Sequence, residues 1–390
     1  MTQSRFSDPA KRLGQRYYFN DPDMDLFFVG AMSWGPTGGL DIGQVYYIGS
    51  QIADGDADSW VAAFSDYGAE MNAQADTWKA KGWTQATGEA RLKAAAAYRS
   101  AWQFAEVGAT FLSIYARERA AFKSAVAELC LPASFFDIPY KAAMLPGVFL
   151  QNPKADAPVI VVIGGADTGY EDLFLSVGRN LWQRGYSVAI ADLPGQGRSM
   201  GDGLHWEAEA ERPIGLIIDH LIDHHGAVPG RIALLGLSLG GYFVTRAAGY
   251  EDRFAAVIAS TPFPNPGEMW KKGLAASLSP NAPSPTAAAL RARQIMLWKL
   301  GATSPDDMLA RTAAMQADPS RVTVPFLSIV GGGESEIFRE QAEGWHRAIP
   351  SAHKALVRLG AETGADGHCQ INNRLRLAQE VCGWLFDLGL

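Results

Sequence analysis

A glycine-rich turn that follows a short apolar run is the feature that most limits how this chain can fold. The run occupies residues 231–235, and the turn reads Gly236-Leu237-Ser238-Leu239-Gly240-Gly241. A serine at the crest of a strand-to-helix turn has a strained backbone, and the turn closes only where the residues two before and two after it are small. Gly236 and Gly240 satisfy this requirement. The pattern predicts that Ser238 projects from the end of a strand, whereas the alternative is a glycine-containing turn without a chemical role.

Short apolar runs bounded by turn residues recur along the chain and alternate with helical spacing. Such runs are typical of strands that are buried on both faces of a parallel sheet. With helices between them, they predict an α/β fold with a mostly parallel, doubly wound sheet. In such sheets the reacting groups gather at the carboxyl ends of the strands, where Ser238 lies. The predicted strands occupy residues 158–163, 186–191, 232–235, 255–259, 325–330 and 355–359.

To act as a nucleophile, a serine needs a histidine base and a carboxylate that orients this base. On this type of sheet the three residues follow one another along the chain in the order serine, acid, histidine. Of the seven histidines, only His346, His353 and His368 follow Ser238. His346 lies in a predicted helix and His353 opens the last predicted strand, so both are expected at the surface. His368 follows that strand in a loop and precedes the C-terminal amphipathic helix. We therefore predict that His368 is the base, against the alternative of a loop or helix-capping histidine.

The acid is expected after the strand at 325–330, where the chain contains glutamates and no aspartate. The segment reads Gly331-Gly332-Gly333-Glu334-Ser335-Glu336. Glutamate can replace aspartate if the backbone withdraws by about one methylene, and three glycines permit this. Glu334 is the preferred acid because it follows the glycine that ends the strand by three residues. Glu336 is the second candidate, and a solvated loop carboxylate without a role remains the alternative.

Hydrolysis at a serine also needs two N–H groups that bind the developing oxyanion. One is expected from Leu239, the residue after the serine. The other is expected from the loop that follows the strand at 158–163, which begins with Gly164 and Gly165. A pair of glycines allows the backbone to approach a substrate carbonyl closely, although it would also suit a tight turn. We predict that Ala166 supplies the second N–H.

Two helical additions to the sheet are predicted. Residues 1–132 lack strand alternation and place aromatic residues and alanines at helical spacing, which predicts a helical N-terminal cap. The α/β core is expected over residues 133–390, with a helical insertion around 262–322, because connections between strands normally span a few residues. Both additions are expected to lie over Ser238. Three tryptophans are candidates for lining the substrate pocket, namely Trp102, Trp270 and Trp298.

Composition argues against several kinds of partner. The 390-residue chain has a net charge of −7 and no basic cluster, which argues against nucleic acid and anionic membranes. No signal peptide or membrane-spanning apolar stretch is identified, so we expect a cytoplasmic protein. Cys130, Cys369 and Cys382 are expected to be free thiols. His220 and His224 have metal-ligand spacing, but their helix is expected on the outer face of the sheet, so we expect no metal and no organic cofactor.

Four segments together resemble the FrsA-like branch of the α/β-hydrolases, which includes 2,6-dihydroxypseudooxynicotine hydrolase and fungal polyketide-shortening hydrolases. The resemblance covers residues 135–390 and is looser before them. It implies a helical segment over the site, a homodimer and, in those members, hydrolysis of a carbon-carbon bond next to a ketone. The usual aspartate of the branch corresponds to Glu334 here. The segments are Gly164-Gly165-Ala166-Asp167-Thr168, Asp192-Leu193-Pro194-Gly195-Gln196-Gly197, Gly236-Leu237-Ser238-Leu239-Gly240-Gly241 and Gly367-His368.

The predicted triad indicates a cofactor-free serine hydrolase that acts on a small molecule. The resemblance implies retro-Claisen cleavage of a β-diketone or aryl ketone. The residues themselves do not distinguish this reaction from ester hydrolysis, so a carboxylesterase or lactonase acting on a small aromatic or polyketide-like substrate is the alternative. A non-catalytic binding protein that retained the fold is the alternative from another class.

Overall fold

A central sheet organises the part of the chain that the computed structural model describes, which is residues 11–154, 156–280 and 282–390. Its strands are β1 (Ala133–Tyr140), β2 (Ala143–Leu150), β3 (Val159–Ile163), β4 (Ser187–Ala191), β5 (Ile232–Leu237), β6 (Phe254–Ser260), β7 (Phe326–Gly331) and β8 (Lys354–Leu359). They lie in the order β1-β2-β4-β3-β5-β6-β7-β8. Strands β3 to β8 are parallel, whereas β2 pairs antiparallel with both β1 and β4. The mostly parallel sheet predicted from the apolar runs is confirmed.

The hairpin of β1 and β2 was not predicted. In β1 the buried residues Phe136, Ile138 and Tyr140 alternate with more exposed ones. This pattern is typical of an antiparallel strand with one solvated face. In β2 the apolar run is interrupted by Pro146 and Gly147. Because neither segment is a continuous apolar run, the sequence pattern used to predict the other strands does not predict β1 or β2.

Helices precede the sheet along the chain. They are α1 (Pro22–Ser33), α2 (Ile42–Gly49), α3 (Ala57–Ala80), α4 (Thr84–Trp102) and α5 (Ala109–Glu128). The Asp21 carboxylate starts α1 by accepting hydrogen bonds from the backbone N–H groups of Asp23 and Met24, which would otherwise lack partners. Aromatic side chains such as Trp60 and Phe111 are fully buried in this region. Its stability therefore comes largely from tertiary packing of these side chains.

The remaining helices alternate with the strands. They are α6 (Tyr170–Leu173), α7 (Arg179–Gln183), α8 (Glu211–His225), α9 (Leu239–Ala247), α10 (Pro266–Ser277), α11 (Ala287–Leu300), α12 (Pro305–Thr312), α13 (Glu336–Ala348) and α14 (Arg374–Asp387). A π-helical turn, Phe174–Gly178, joins α6 to α7, and 3₁₀ turns occur at Gly35–Thr37, Ser199–Asp202, Pro319–Arg321, Ala361–Thr363 and His368–Gln370. Helices α10, α11 and α12 form the insertion between β6 and β7. Within the described residues, no helix combines the length and apolarity needed to cross a bilayer.

Strands β2 to β7 contribute side chains to two hydrophobic cores, because successive residues point to opposite faces of a sheet. Ile160 and Val162 of β3 join the core that contains α1 to α5, α6, α7 and α14. Val161 and Ile163 join the core that contains α8, α9 and α13. Burial on both faces explains why these strands read as continuous apolar runs. The layers leave the carboxyl ends of β3, β5, β6 and β7 free to form a site.

Candidate active site

Ser238 lies between the end of β5 and the start of α9 in the strained conformation that the sequence predicted. Its φ and ψ angles are 59° and −124°, which place it in a region that side-chain-bearing residues seldom adopt. The backbone N–H of Ser238 donates to the Ser260 carbonyl at 2.8 Å. A Cβ atom at Gly236 would lie 2.2 Å from the Gly240 carbonyl oxygen, and one at Gly240 would lie 2.5 Å from the Ile163 carbonyl oxygen. Larger residues at either glycine would therefore prevent the turn from closing.

His368 meets Ser238 from the 3₁₀ turn that follows β8. Its Nε2 lies 2.8 Å from Ser238 Oγ, and its Nδ1 forms a short contact with Glu334 Oε1. With the Nδ1 proton donated to the carboxylate, Nε2 is the acceptor for the serine hydroxyl. The backbone N–H of His368 donates to the Arg12 carbonyl at 2.7 Å. The segment before α1 therefore helps to hold the histidine in place.

Glu334, and not Glu336, is the carboxylate beside His368. Glu334 is 2% exposed. Its oxygens accept hydrogen bonds from the Thr261 hydroxyl at 2.8 and 2.9 Å and from the Gly331 N–H at 2.8 Å. Glu336 is exposed at the start of α13. The structure therefore brings Ser238, His368 and Glu334 together and leaves Glu336 in solvent.

Charge around His368 favours its protonated form. Burial disfavours the imidazolium, but the neighbouring Cys369 thiol and the Glu334 carboxylate outweigh it and raise the pKa of His368 above its ordinary value. A partner carboxylate of this kind stabilises the imidazolium that forms when the serine proton is transferred. The arrangement therefore suits His368 to accept and then return a proton.

The N–H groups predicted to bind an oxyanion both belong to residues that border one cavity. Ala166 and Leu239 line it together with Ser238. Among the described residues, neither backbone N–H donates a hydrogen bond. Leu239 is the first residue of α9, where N–H groups lack helical partners and favour negative charge. The two N–H groups are therefore available to a substrate oxygen.

Two side chains that the sequence reading missed support the loop that contains Ala166. Gln196 Nε2 donates to the carbonyls of Gly164 and Gly165 at 2.5 and 3.1 Å. Lys299 Nζ of α11 donates to the Ala166 carbonyl at 2.5 Å and is fully buried. Burial lowers the pKa of Lys299 to about 8. The motif around Gln196 was visible in the sequence, whereas a lysine in the last turn of a helix is normally a surface residue.

The same cavity, which we call the large cavity, has a volume of about 330 Å³. Phe27 of α1 and Trp270, Met296 and Met308 of the insertion contribute apolar walls. Both helical additions therefore border the space above Ser238. Its walls are mostly apolar, and Ser238 and His368 are among the few polar residues that line it, as is usual for a small-molecule site.

Only one of the predicted pocket tryptophans borders the large cavity. Trp270 lines it, whereas Trp102 and Trp298 do not. Trp102 is fully buried and its Nε1 donates to Glu118. Trp298 packs edge-on against Phe111 with ring centroids 5.4 Å apart. The expectation for Trp102 and Trp298 is corrected, because aromatic side chains at helical spacing here fill the core between helices.

Possible metal ligands do not cluster in the described part of the chain. No group of three or more His, Cys, Asp or Glu side chains in that part of the chain is placed to hold a metal ion. His220 and His224 stack on each other at 4.5 Å in α8, on the side of the sheet away from α1 to α5. Cys130, Cys369 and Cys382 are free thiols.

Replacement of Gly165 by alanine is expected to lower kcat/KM by about 100-fold or more, because small displacements of reacting groups are costly. A Cβ atom at this position would lie 2.5 Å from Ser238 Cβ and 3.0 Å from its Oγ. The matched control is Gly344→Ala, whose added Cβ meets nothing within 4 Å. Steady-state kinetics on one substrate test this. Equal rates for the two variants would contradict the close approach of the loop to the serine.

Comparison with known families identifies the core. The family model described as serine aminopeptidase, S33, matches residues 153–359, more than half of the chain. The chain belongs to this family. The match spans β3 to β8 and includes Ser238 and Glu334, while His368 lies just beyond it. The core of the protein thus has the α/β-hydrolase fold.

Individual relatives of this S33 family member are fungal hydrolases. The α/β-hydrolase gkaG of Penicillium citrinum is 29% identical over 252 residues, which make up 61% of this chain and 58% of the relative. The 20-hydroxy-prefusarin hydrolase FUS2 of Gibberella moniliformis is 29% identical over 238 residues, or 57% of each chain. The matches therefore span about three fifths of the length of these curated relatives.

Solved structures share the fold over nearly the whole chain. The 2,6-dihydroxy-pseudo-oxynicotine hydrolase superposes with a TM-score of 0.73 at 20% identity, covering 92% of this chain and 95% of the other. AbyA5 superposes with a TM-score of 0.65 at 14% identity, covering 95% and 99%. The coverage extends beyond the S33 match into the helices that precede the sheet. The resemblance identified from the sequence motifs is confirmed.

Proposed function

We propose that this α/β-hydrolase uses Ser238, His368 and Glu334 as a catalytic triad to hydrolyse an activated carbon-carbon bond next to a ketone. The hydrogen-bonded chain from Ser238 Oγ through His368 to Glu334 carries the proposal. Nucleophile, base and orienting carboxylate are in contact, as this mechanism requires. The mostly apolar large cavity supplies space for a substrate beside these three residues.

In the first half of the reaction, His368 Nε2 takes the Ser238 proton while Oγ attacks the ketone carbon. The carbonyl oxygen becomes an oxyanion, which the N–H groups of Ala166 and Leu239 bind. Glu334 stabilises the resulting imidazolium. Because Gln196 and Lys299 hold the Ala166 loop through its carbonyls, the oxyanion donors are fixed before the substrate arrives.

In the second half, the tetrahedral intermediate collapses and breaks the carbon-carbon bond. The departing carbanion takes the proton from His368, and an acyl group remains on Ser238. Water then loses a proton to His368 and attacks the acyl group, which releases a carboxylic acid and restores the serine. The balance is one ketone and one water giving one acid and one C–H compound. The carbanion must be stabilised, as in a β-diketone or a hydroxylated aryl ketone.

The choice of bond rests on the resemblance to the FrsA-like branch, whose named members cleave next to a ketone. The names of two similar proteins describe hydrolases of 2,6-dihydroxy-pseudo-oxynicotine and of 20-hydroxy-prefusarin. A polyketide-like or aromatic small molecule is therefore the substrate class that we propose. The size and apolar walls of the large cavity are compatible with such a molecule.

A substrate panel followed by mass spectrometry tests the proposal. The panel pairs aryl ketones and β-diketones with esters and lactones of matched size. We expect Ser238-dependent cleavage of at least one ketone into an acid and a C–H product. Cleavage confined to esters or lactones would assign carboxylesterase or lactonase activity and overturn the carbon-carbon assignment. Turnover that persists in Ser238→Ala would overturn the triad.

A further inference from the structure

Ser238 and His368 border a second cavity beside the large one. This small cavity has a volume of about 70 Å³. A water molecule needs roughly 10–15 Å³ of cavity volume, so the small cavity has room for about five non-hydrogen atoms of a ligand. Residues that line it but not the large cavity include Trp34, Arg99, Ser100, Asp172, Cys369 and Arg374. The reacting serine therefore opens onto a large apolar space and a compact one with charged walls.

Two of the three arginines that line the small cavity are matched by carboxylates. Arg12 pairs with Asp23. Arg99 Nε lies 3.2 Å from Asp172 Oδ2. Arg99 also donates from Nη1 to Gln103 Oε1 at 3.1 Å and from Nη2 to the Asp167 carbonyl, although its Nε forms no hydrogen bond with the described residues. Arg12 and Arg99 therefore each already have a carboxylate partner.

Arg374, at the start of α14, differs from Arg12 and Arg99 in its hydrogen-bond and charge partners. Its Nη1 donates to the Cys369 carbonyl at 3.0 Å. Within the described part of the chain, Arg374 forms no ion pair, and its Nε and Nη2 form no hydrogen bond, although Nε is buried. Burial lowers the pKa of Arg374. The Nε and Nη2 side of a guanidinium is one that binds a carboxylate through two parallel hydrogen bonds.

The nearest charges do not neutralise this arginine. Asp172 attracts it, but that carboxylate already forms an ion pair with Arg99 and accepts a hydrogen bond from the Gly169 N–H at 2.7 Å. Arg99 carries the same charge as Arg374 and repels it. A buried N–H group without an acceptor is costly unless a ligand completes it. Among the described residues that line the small cavity, Arg374 is the arginine without a carboxylate partner, and its Nε is the buried N–H group left open to a ligand.

We propose that the small cavity binds a compact oxyanion of the substrate on Arg374, while the apolar body of the substrate occupies the large cavity. This inference rests on the serine hydrolase function proposed above. The oxyanion is a carboxylate or an enolate on an arm of about five non-hydrogen atoms next to the scissile carbonyl. The substrate class is thereby narrowed to acidic carbonyl compounds with an apolar body.

Isosteric acid and ketone pairs test this assignment. The first pair is mono(2-naphthylmethyl) succinate and 2-naphthylmethyl levulinate, which place the acid or the methyl ketone on the acyl side. The second pair is the 2-naphthylacetyl ester of glycolic acid and that of hydroxyacetone, which place the same groups on the leaving side. We expect kcat/KM of the wild-type enzyme to favour the acid by about 10-fold or more in one pair, the scale of a charge-assisted hydrogen bond.

Substitution variants then test whether Arg374 causes this preference for the acid over the ketone. Arg374→Gln is expected to reduce the acid-to-ketone ratio of kcat/KM to about one. The matched control is Arg376→Gln, which lies on the same helix, forms an ion pair with Glu380 and is 41% exposed in its side chain; it should keep the wild-type ratio. A ratio near one in both pairs for the wild-type enzyme would overturn the assignment, as would an unchanged ratio in Arg374→Gln.

The design separates other roles of Arg374 from the proposed one. If Arg374 only holds the turn at Cys369, Arg374→Gln will lower the rates of acid and ketone equally, which would overturn the inference. Equal wild-type rates that vanish in Ser238→Ala would overturn the inference and leave the serine hydrolase function standing. Hydrolysis of both pairs that survives in Ser238→Ala would overturn both proposals.

Discussion

Ser238→Ala and His368→Ala are each expected to lower kcat/KM by about 10³-fold or more, because the members of a triad act as one unit. Alanine at 238 removes the atom that attacks, and alanine at 368 removes the base that lies 2.8 Å from it. Steady-state kinetics on a substrate from the panel provide the measurement. Circular dichroism should show the wild-type spectrum for both variants, since neither change removes a large apolar contact.

Two substitutions at exposed positions serve as controls. Ser113→Ala lies on α5 and His353→Ala lies just before β8, and both should retain wild-type kinetics. A fluorophosphonate should label the wild-type protein and the two controls, but not Ser238→Ala. Near-wild-type turnover in a folded Ser238→Ala or His368→Ala variant would refute the assignment. Absence of labelling in the wild-type protein would favour a binding protein that retained the fold.

Glu334→Gln is expected to lower turnover by about 10³- to 10⁴-fold, the scale measured for the equivalent asparagine change in serine proteases. The amide keeps the size of the side chain but removes the charge that stabilises the His368 imidazolium. It also changes the group that faces His368 Nδ1 and the Thr261 hydroxyl. The matched control is Glu336→Gln, at an exposed position two residues away, and it should lower turnover only slightly. A larger loss in Glu336→Gln would reassign the acid and keep the rest of the scheme.

The pH dependence of the Glu334 variant gives an independent readout. The Cys369 thiol and the Glu334 carboxylate raise the pKa of His368. Removal of the carboxylate charge destabilises the imidazolium, so the histidine loses its proton at lower pH. The ascending limb of kcat/KM against pH, which reports the base in the free enzyme, should therefore move towards acid in Glu334→Gln. If the ascending limb of kcat/KM lies at the same pH in Glu334→Gln as in the wild-type enzyme, Glu334 does not raise the pKa of His368.

Local chemistry and chain order were enough to predict the parallel strands of the sheet and the three residues that the structure brings into contact at the candidate site. Strands buried on both faces are largely apolar, so β3 to β7 were visible as nearly continuous runs. The strained turn at Ser238 requires glycine at 236 and 240, which leaves a mark in the sequence itself. His368 followed from its position, because among the histidines after Ser238 it alone lies in the loop that follows the last strand.

Long-range packing decided what the sequence left open. Glu334 and Glu336 lie two residues apart, and only the turn into α13 buries one beside His368 and exposes the other. The surroundings of four further side chains were also left open, because helical spacing indicates which face of a helix is buried but not whether a cavity or another helix lies against that face. These side chains are Trp102, Trp298, Lys299 and Arg374. Lys299 meets the Ala166 loop across 133 residues of chain. A contact of that kind depends on how separate elements stack, and no local pattern records it. The sequence by itself therefore determined the parallel strands β3 to β8 and the candidates Ser238, Glu334 and His368, whereas the tertiary structure decided which groups surround them, because burial and charge at the site are set by elements distant in the chain.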